Sequence, residues 1–175
     1  MTLKILLLQA RNHGDRAKSE ERQSFAERAG LDLEQVVPHD LLTGPPTMAQ
    51  VLRHDALMVG GSGDYYVSKE NLPGFWEVLD LLREVVGRGH PTFASCFGFQ
   101  LMVRALGGEI IFDPANMEVG TYELTLTEAG RQDELLGVLP PRFMAQLATK
   151  ACVWSAVQQI TASTSFWSKH LRQST

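Results

Sequence analysis

The stretch Pro91-Thr92-Phe93-Ala94-Ser95-Cys96-Phe97-Gly98-Phe99-Gln100 decides the fold. It is an apolar run that ends on a cysteine and turns at once through Gly98 into a helix-like segment. A strand that delivers a thiol to a sharp turn at a helix start makes a nucleophile elbow. There the backbone N–H of the next residue can hold an oxyanion, and the helix N-terminus favours the thiolate. Cys96 is therefore the candidate nucleophile. The residue taken alone also fits a buried structural cysteine.

Outward from the elbow, apolar runs alternate with amphipathic stretches, the pattern of a parallel sheet joined by crossover helices. A first strand is expected over Leu3–Leu8. A helix follows from about Ser19 to Ala29, with Ser19 as N-cap, Glu20 and Glu21 in the first turn and Gly30 just past the end. Leu33–Val37 reads as a second strand. Thr47 caps a short helix through Leu52, and Ala56–Val59 is a third strand. Pro73 near the first helical position opens a longer helix to about Val86. Thr92–Ser95 is the fourth strand, and the helix after Cys96 runs to Leu106, where Gly107 and Gly108 stop it. Further strands are expected over Glu109–Phe112, Tyr122–Thr127 and Phe143–Leu147. The fold class is α/β, an open and mostly parallel sheet with crossover helices on both faces. Cys96 then stands at the carboxyl end of a central strand, the edge where open α/β sheets place ligands.

The segment Gly60-Gly61-Ser62-Gly63 belongs at the same edge. Its backbone N–H groups can lie close to a substrate, because glycine lacks the Cβ that blocks such an approach; an ordinary strand-to-loop turn is the alternative. It is neither a dinucleotide fingerprint nor a phosphate-binding P-loop. Gln100 falls one helical turn after Cys96, on the same face of the new helix, unless it is simply a surface glutamine. Glu118 and Tyr122 are weaker pocket candidates, each equally readable as a solvated or core residue.

The run Cys96-Phe97-Gly98-Phe99-Gln100-Leu101-Met102, followed by Ala105-Leu106-Gly107-Gly108, resembles the Cys-x-Gly-x-Gln and Ala-Leu-Gly-Gly signature of class I glutamine amidotransferases. Asp55 to Gly63 is similar to that family's strand and Gly-Gly loop, and Glu118 to Gly130 to the segment before its late strands. The resemblance covers about residues 3–147 and is nearest to stand-alone proteins related to the amidotransferase domain of GMP synthase. It implies a flavodoxin-like fold of the class I amidotransferase type. It also implies attack of Cys96 on the side-chain amide of L-glutamine, a glutamyl thioester and released ammonia. Gly61 and Phe97 would supply the oxyanion-hole amides, and Gly60, Gln100, Glu118 and Tyr122 would contact substrate.

The chain departs from the family pattern twice. Ala94 stands two residues before the cysteine, where glycine is usual. More consequentially, the late His-x-Glu segment that completes the family's triad is not found. His90 and His54 precede their strands, and a strand of that length puts His90 about 17–20 Å from the elbow, at the wrong edge. His13 and His39 follow the first and second strands at the correct edge, but neither has an evident orienting carboxylate. His170 has the right place in chain order, with Lys169, Leu171 and Arg172 as neighbours. An impaired amidotransferase is accordingly expected. A non-catalytic remnant or binding domain of the same fold is one alternative, and a different cysteine-elbow hydrolase using His13 or His39 is another.

From Ala148 to Thr175 the chain has no Asp, Glu, Gly or Pro, although it contains 20 acidic residues, 15 glycines and 8 prolines in all. Such residues punctuate helices and strands in almost any domain, so their disappearance marks a change of character. We read residues 1–147 as one amidotransferase-like domain, expected to be incomplete at its C-terminus, and 148–175 as an atypical Ser/Thr/Gln-rich tail. An altered or frameshifted end and a divergent amphipathic end both account for it.

A net charge of −4 over 175 residues, with no Lys/Arg cluster, argues against nucleic-acid or anionic-membrane partners. The apolar N-terminal run is too short for a signal peptide or membrane span, so a cytoplasmic protein is expected. Two distant cysteines make no disulfide framework. Neither a cofactor nor a metal is expected. The expected small-molecule partner is L-glutamine, with an ammonia-accepting enzyme of unspecified identity as the further partner that the resemblance implies.

Overall fold

The computed structural model describes residues 2–110, 118–133 and 136–149. His170, Cys152 and the tail from 150 onward lie outside the described residues, as do positions 111–112 of the strand expected over Glu109–Phe112. The chain falls into two compact units, Met1–Gly108 and Glu109–Thr175.

In the first unit the strands are β1 (Ile5–Ala10), β2 (Val36–Asp40), β3 (Ala56–Ser62) and β4 (Thr92–Ala94). They form one sheet in the order β2-β1-β3-β4, with every pairing parallel. The helices are α1 (Arg16–Ala29), α2 (Met48–Val51), α3 (Phe75–Gly87) and α4 (Phe97–Ala105).

Period-2 alternation assigns the faces. Leu7 packs with Ala26 of α1 and Val36, and Met58 joins that cluster. Leu7 and Met58 therefore face α1, together with Gln9 and Gly60, two residues further along their strands. The opposite face carries Leu8, Leu57 and Val59, all almost fully buried, and Val59 lies against Gly98 of α4. Helices thus cover both faces, as expected of a doubly covered parallel sheet. Each buried leucine or valine contributes roughly 1.5–3 kcal/mol of transfer free energy.

Several boundaries differ from those expected. The first strand is displaced toward its carboxyl end and takes in Gln9 and Ala10. Helix α1 starts at Arg16, because Asp15 rather than Ser19 is its N-cap: the Asp15 carboxylate accepts from the Ala17 amide. Ser19 lies inside the helix and donates its hydroxyl to the Arg16 carbonyl. The expected strand at Leu33–Val37 begins only at Val36. Asp32 and Gln35 form a capping box that curls Leu33–Gln35 into a single 3₁₀ turn. The Thr47 cap is present, with Gln50 completing a capping box. Pro73 lies one residue before the α3 N-cap, Gly74. Glu109 and Ile110 are not strand.

The second unit pairs β5 (Glu118–Thr125) with β6 (Arg142–Thr149) in an antiparallel ribbon, and α5 (Glu128–Gln132) follows β5. The strand expected over Tyr122–Thr127 begins earlier and stops at Thr125, since Thr127 instead caps α5 by accepting from the Gly130 amide.

Candidate active site

Cys96 sits between β4 and α4 with φ 51° and ψ −111°. Among the described residues only Glu70 is another non-glycine with positive φ. Such a conformation costs on the order of 1–3 kcal/mol and persists only where its surroundings impose it. The surroundings here are short hydrogen bonds on both sides of the turn. The Ser95 amide donates to the Val59 carbonyl at 2.9 Å, the Gly98 amide to the Ser95 carbonyl at 2.9 Å, and the Gln100 amide to the Cys96 carbonyl at 3.1 Å. Cys96 is a free, exposed cysteine.

Gly98 is what lets the elbow close. A Cβ on it would stand 2.4 Å from the Val59 carbonyl oxygen and 2.7 Å from the Val59 carbonyl carbon. Those are backbone atoms of β3 and cannot step aside. Phe97, the first residue of α4, is buried beside it. Its amide belongs to the helix turn whose N–H groups have no partner from within the helix.

The glycines of β3 meet the elbow from the next strand. A Cβ built on Gly61 would lie 3.9 Å from the Cys96 Cβ, so the two backbones share one small space. Between Leu8 and Ala10 of β1 the register against β3 shifts, from Leu8 opposite Val59 to Ala10 opposite Ser62. The extra β3 residue falls at Gly60-Gly61. A bulge beside a site re-aims backbone groups, and here the Gly61 amide donates to the Glu21 carboxylate at 2.7 Å.

Sequence reasoning missed this cluster. Glu21 also accepts from Arg11 Nη2 at 3.1 Å and from Gln9 Nε2 at 3.0 Å. The side chains of Arg11 and Glu21 are only 16% and 11% exposed. Arg11 Nη1 also faces Asp15 at 3.5 Å. Burial pulls the Arg11 pKa down, but hydrogen bonding and charge from Glu21, helped by Asp15, outweigh it and raise it. Gln9 is 1% exposed and gives its amide to the Lys18 carbonyl as well as to Glu21. A buried glutamine closing an apolar strand was the available signal, because burial without hydrogen bonds is costly.

The predicted site residues divide between the units. Cys96, Phe97, Gly60, Gly61 and Gln100 all belong to the first, with Gln100 one turn into α4. Glu118 and Tyr122 belong to the second, on β5, opposite Thr149 and Ala145 of β6. Ala94, where glycine is usual, pairs with Val59 in an intact β4.

None of the described histidines hydrogen-bonds a carboxylate. His39 lies inside β2 rather than after it and donates from Nε2 to the Gly44 carbonyl. Three strand spacings separate β2 from β4, roughly 14 Å at ~4.8 Å each. His54 bonds the Gln50 carbonyl, and the buried Nε2 of His90 has no partner. Burial first, and then the neighbouring His54, lower the His90 pKa against a smaller opposing effect of Asp55. His13 is exposed in the turn after β1.

The fold is similar to that of solved structures. A glutamine amidotransferase from Thermotoga maritima superposes with a TM-score of 0.66 at 13% identity, over 89% of this chain and 63% of that one. A glutamine amido transferase from Methylobacillus flagellatus gives 0.64 at 16% identity, over 89% of this chain and 58% of that one. The chain has a glutamine amidotransferase-like fold. It spans about three-fifths of the length of those two structures. No family model matches the sequence, and no curated protein matches it. Within this glutamine amidotransferase-like fold, no helix among the described residues is long and apolar enough to cross a membrane.

Proposed function

We propose that the chain carries the nucleophile half of a glutamine-hydrolysing site. The Cys96 thiolate attacks the side-chain amide carbon of L-glutamine, and the carbonyl electrons move to oxygen as the C–S bond forms. The Phe97 amide, and the Gly61 amide when it is free, stabilise that oxyanion. Collapse breaks the C–N bond, protonated nitrogen leaves as ammonia, and water then cleaves the glutamyl thioester to glutamate. Gly60 and Gln100 contribute to holding glutamine. An ammonia-accepting enzyme is the natural partner for the product, and the cytoplasm the natural place for the reaction.

The observation that supports this reading is the positive φ of Cys96 at the start of α4, with Gly61 beside it. Strain of that kind is retained where geometry serves chemistry. No described histidine is hydrogen-bonded to a carboxylate that would orient it to protonate the leaving nitrogen, and losing a general acid–base group forfeits about 10²–10⁴-fold in rate. Purified chain should therefore release little ammonia from glutamine. An otherwise identical chain whose residues after Leu147 are replaced by an ending with His-Pro-Glu should release more. Rapid turnover by the unaltered chain, abolished by Cys96→Ala and by replacing His13 or His39, would instead support a different cysteine-elbow hydrolase. Mass spectrometry after limiting alkylation with a glutamine-like electrophile tests the nucleophile itself: Cys96 should be labelled before Cys152, and preferential labelling of Cys152 removes Cys96 from the role.

A further inference from the structure

The Gly60-Gly61 segment forms a cradle for a carboxylate, and the carboxylate in it is the chain's own. Three donors from three places converge on Glu21: the Gly61 amide, Arg11 Nη2 and Gln9 Nε2. The fit is close enough that a Cβ on Gly60 would stand 2.5 Å from Glu21 Oε2 and 2.7 Å from its Cδ. Glycine at 60 thus makes room for this anion. A Cβ built on Gly61 would have Arg11 Nη2 at 3.2 Å, Glu21 Oε1 at 3.3 Å and the Cys96 Cβ at 3.9 Å. The carboxylate and the nucleophile therefore flank the same point.

We propose that Glu21 is a built-in latch, a carboxylate seated on the anion-binding amide of Gly61 that withholds this donor from chemistry at Cys96 until it swings away. The inference rests on the reading of Cys96 as a nucleophile toward glutamine-like substrates. A hydrogen bond to an ionised acceptor is roughly twice as strong as a neutral one, so the amide is not shared with a developing oxyanion while Glu21 holds it. The side chain has somewhere to go. An open groove of about 510 Å³ is lined by Glu21 itself, Phe25, Phe93 and Ser95, the residue before Cys96. Arg28 lines the same groove, seven residues along α1, and offers a cation to the displaced carboxylate.

The test compares the unaltered chain with Glu21→Ala and Glu21→Gln, the second preserving shape if the first fails to fold. Cys96 is alkylated with a glutamine-like chloromethyl ketone and, separately, with iodoacetamide. In the ketone reaction sulfur bonds to the chloromethyl carbon and chloride leaves with the C–Cl electron pair. The ratio of the two rates cancels any change in thiolate fraction. We expect the ratio to rise about tenfold or more in Glu21→Ala, in keeping with the value of one oxyanion donor. It should rise less in Glu21→Gln, and added formate should return the Glu21→Ala ratio toward that of the unaltered chain by refilling the cradle. Equal ratios in all three folded proteins, each still preferring the ketone, overturn the latch and leave the nucleophile reading standing. No preference for the ketone in any of them removes the glutamine reading and the latch together.

Discussion

Gly61 and Glu21 are 40 residues apart in sequence, and the amide nitrogen of one stands 2.7 Å from a carboxylate oxygen of the other. That single bond ties the end of β3 to the second turn of α1 and occupies a backbone donor beside Cys96. While the carboxylate is seated, position 60 has room only for glycine. Gly60→Ala should expel the carboxylate rather than deform β3, because the obstructing atoms are the far end of a flexible side chain. The expected cost is about 1.5–3 kcal/mol, that of a hydrogen bond to a charged group. Urea unfolding measures it, and an upfield move of the Gly61 amide proton reports the lost bond.

Gly98→Ala should be worse tolerated. The new methyl would meet the Val59 carbonyl at 2.4 Å, and relief requires moving α4 off the sheet. A loss of about 3 kcal/mol, the upper end for overpacking, is expected in the same unfolding assay. Gly87→Ala, with nothing within 4 Å of its Cβ, serves as the control and should not destabilise.

Cys96→Gly should stabilise the protein. Glycine adopts φ 51° without the steric penalty cysteine bears there, and a gain of about 1 kcal/mol is expected from the released strain. Cys96→Ser keeps the Cβ and should show no such gain. An equal or lower unfolding midpoint for Cys96→Gly would show that the elbow is not strained.

The start of α1 gives a clean contrast. Asp15→Ala removes the side-chain bond to the Ala17 amide and should cost about 1 kcal/mol. Ser19→Ala, inside the helix and exposed, should stay within about 0.5 kcal/mol. Thermal denaturation of the two variants separates them.

His90 should impose a pH dependence at the opposite edge of the sheet. Burial first, and then the neighbouring His54, hold its folded pKa below the ordinary imidazole value. As pH falls through the ordinary imidazole range, the unfolded chain takes up this proton first. Stability present above that range is therefore lost as pH drops toward the lower folded value. His90→Phe should flatten this part of a plot of urea midpoint against pH. An unchanged slope would assign the dependence to other groups.

What the sequence determined by itself is whatever local chemistry encodes. The alternation of apolar runs with amphipathic stretches specified a parallel sheet, since strand and helix periods are written in consecutive residues. The elbow was legible because an apolar strand, a cysteine and Gly98 occur within seven residues, and the Thr47–Gln50 capping box because both partners lie in one turn. The cap at Ser19 and the strand at Leu33 were misread where two local signals competed: Asp15 outbid Ser19, and the Asp32–Gln35 box curled residues that composition alone favours as strand. Only the tertiary structure decided what the glycines of β3 hold. The Glu21 carboxylate reaches Gly61 through the packing of α1 on the sheet and a register shift between β1 and β3. A contact between residues 40 positions apart leaves no periodicity in the sequence, because it depends on where three elements meet and not on the order of residues within any of them.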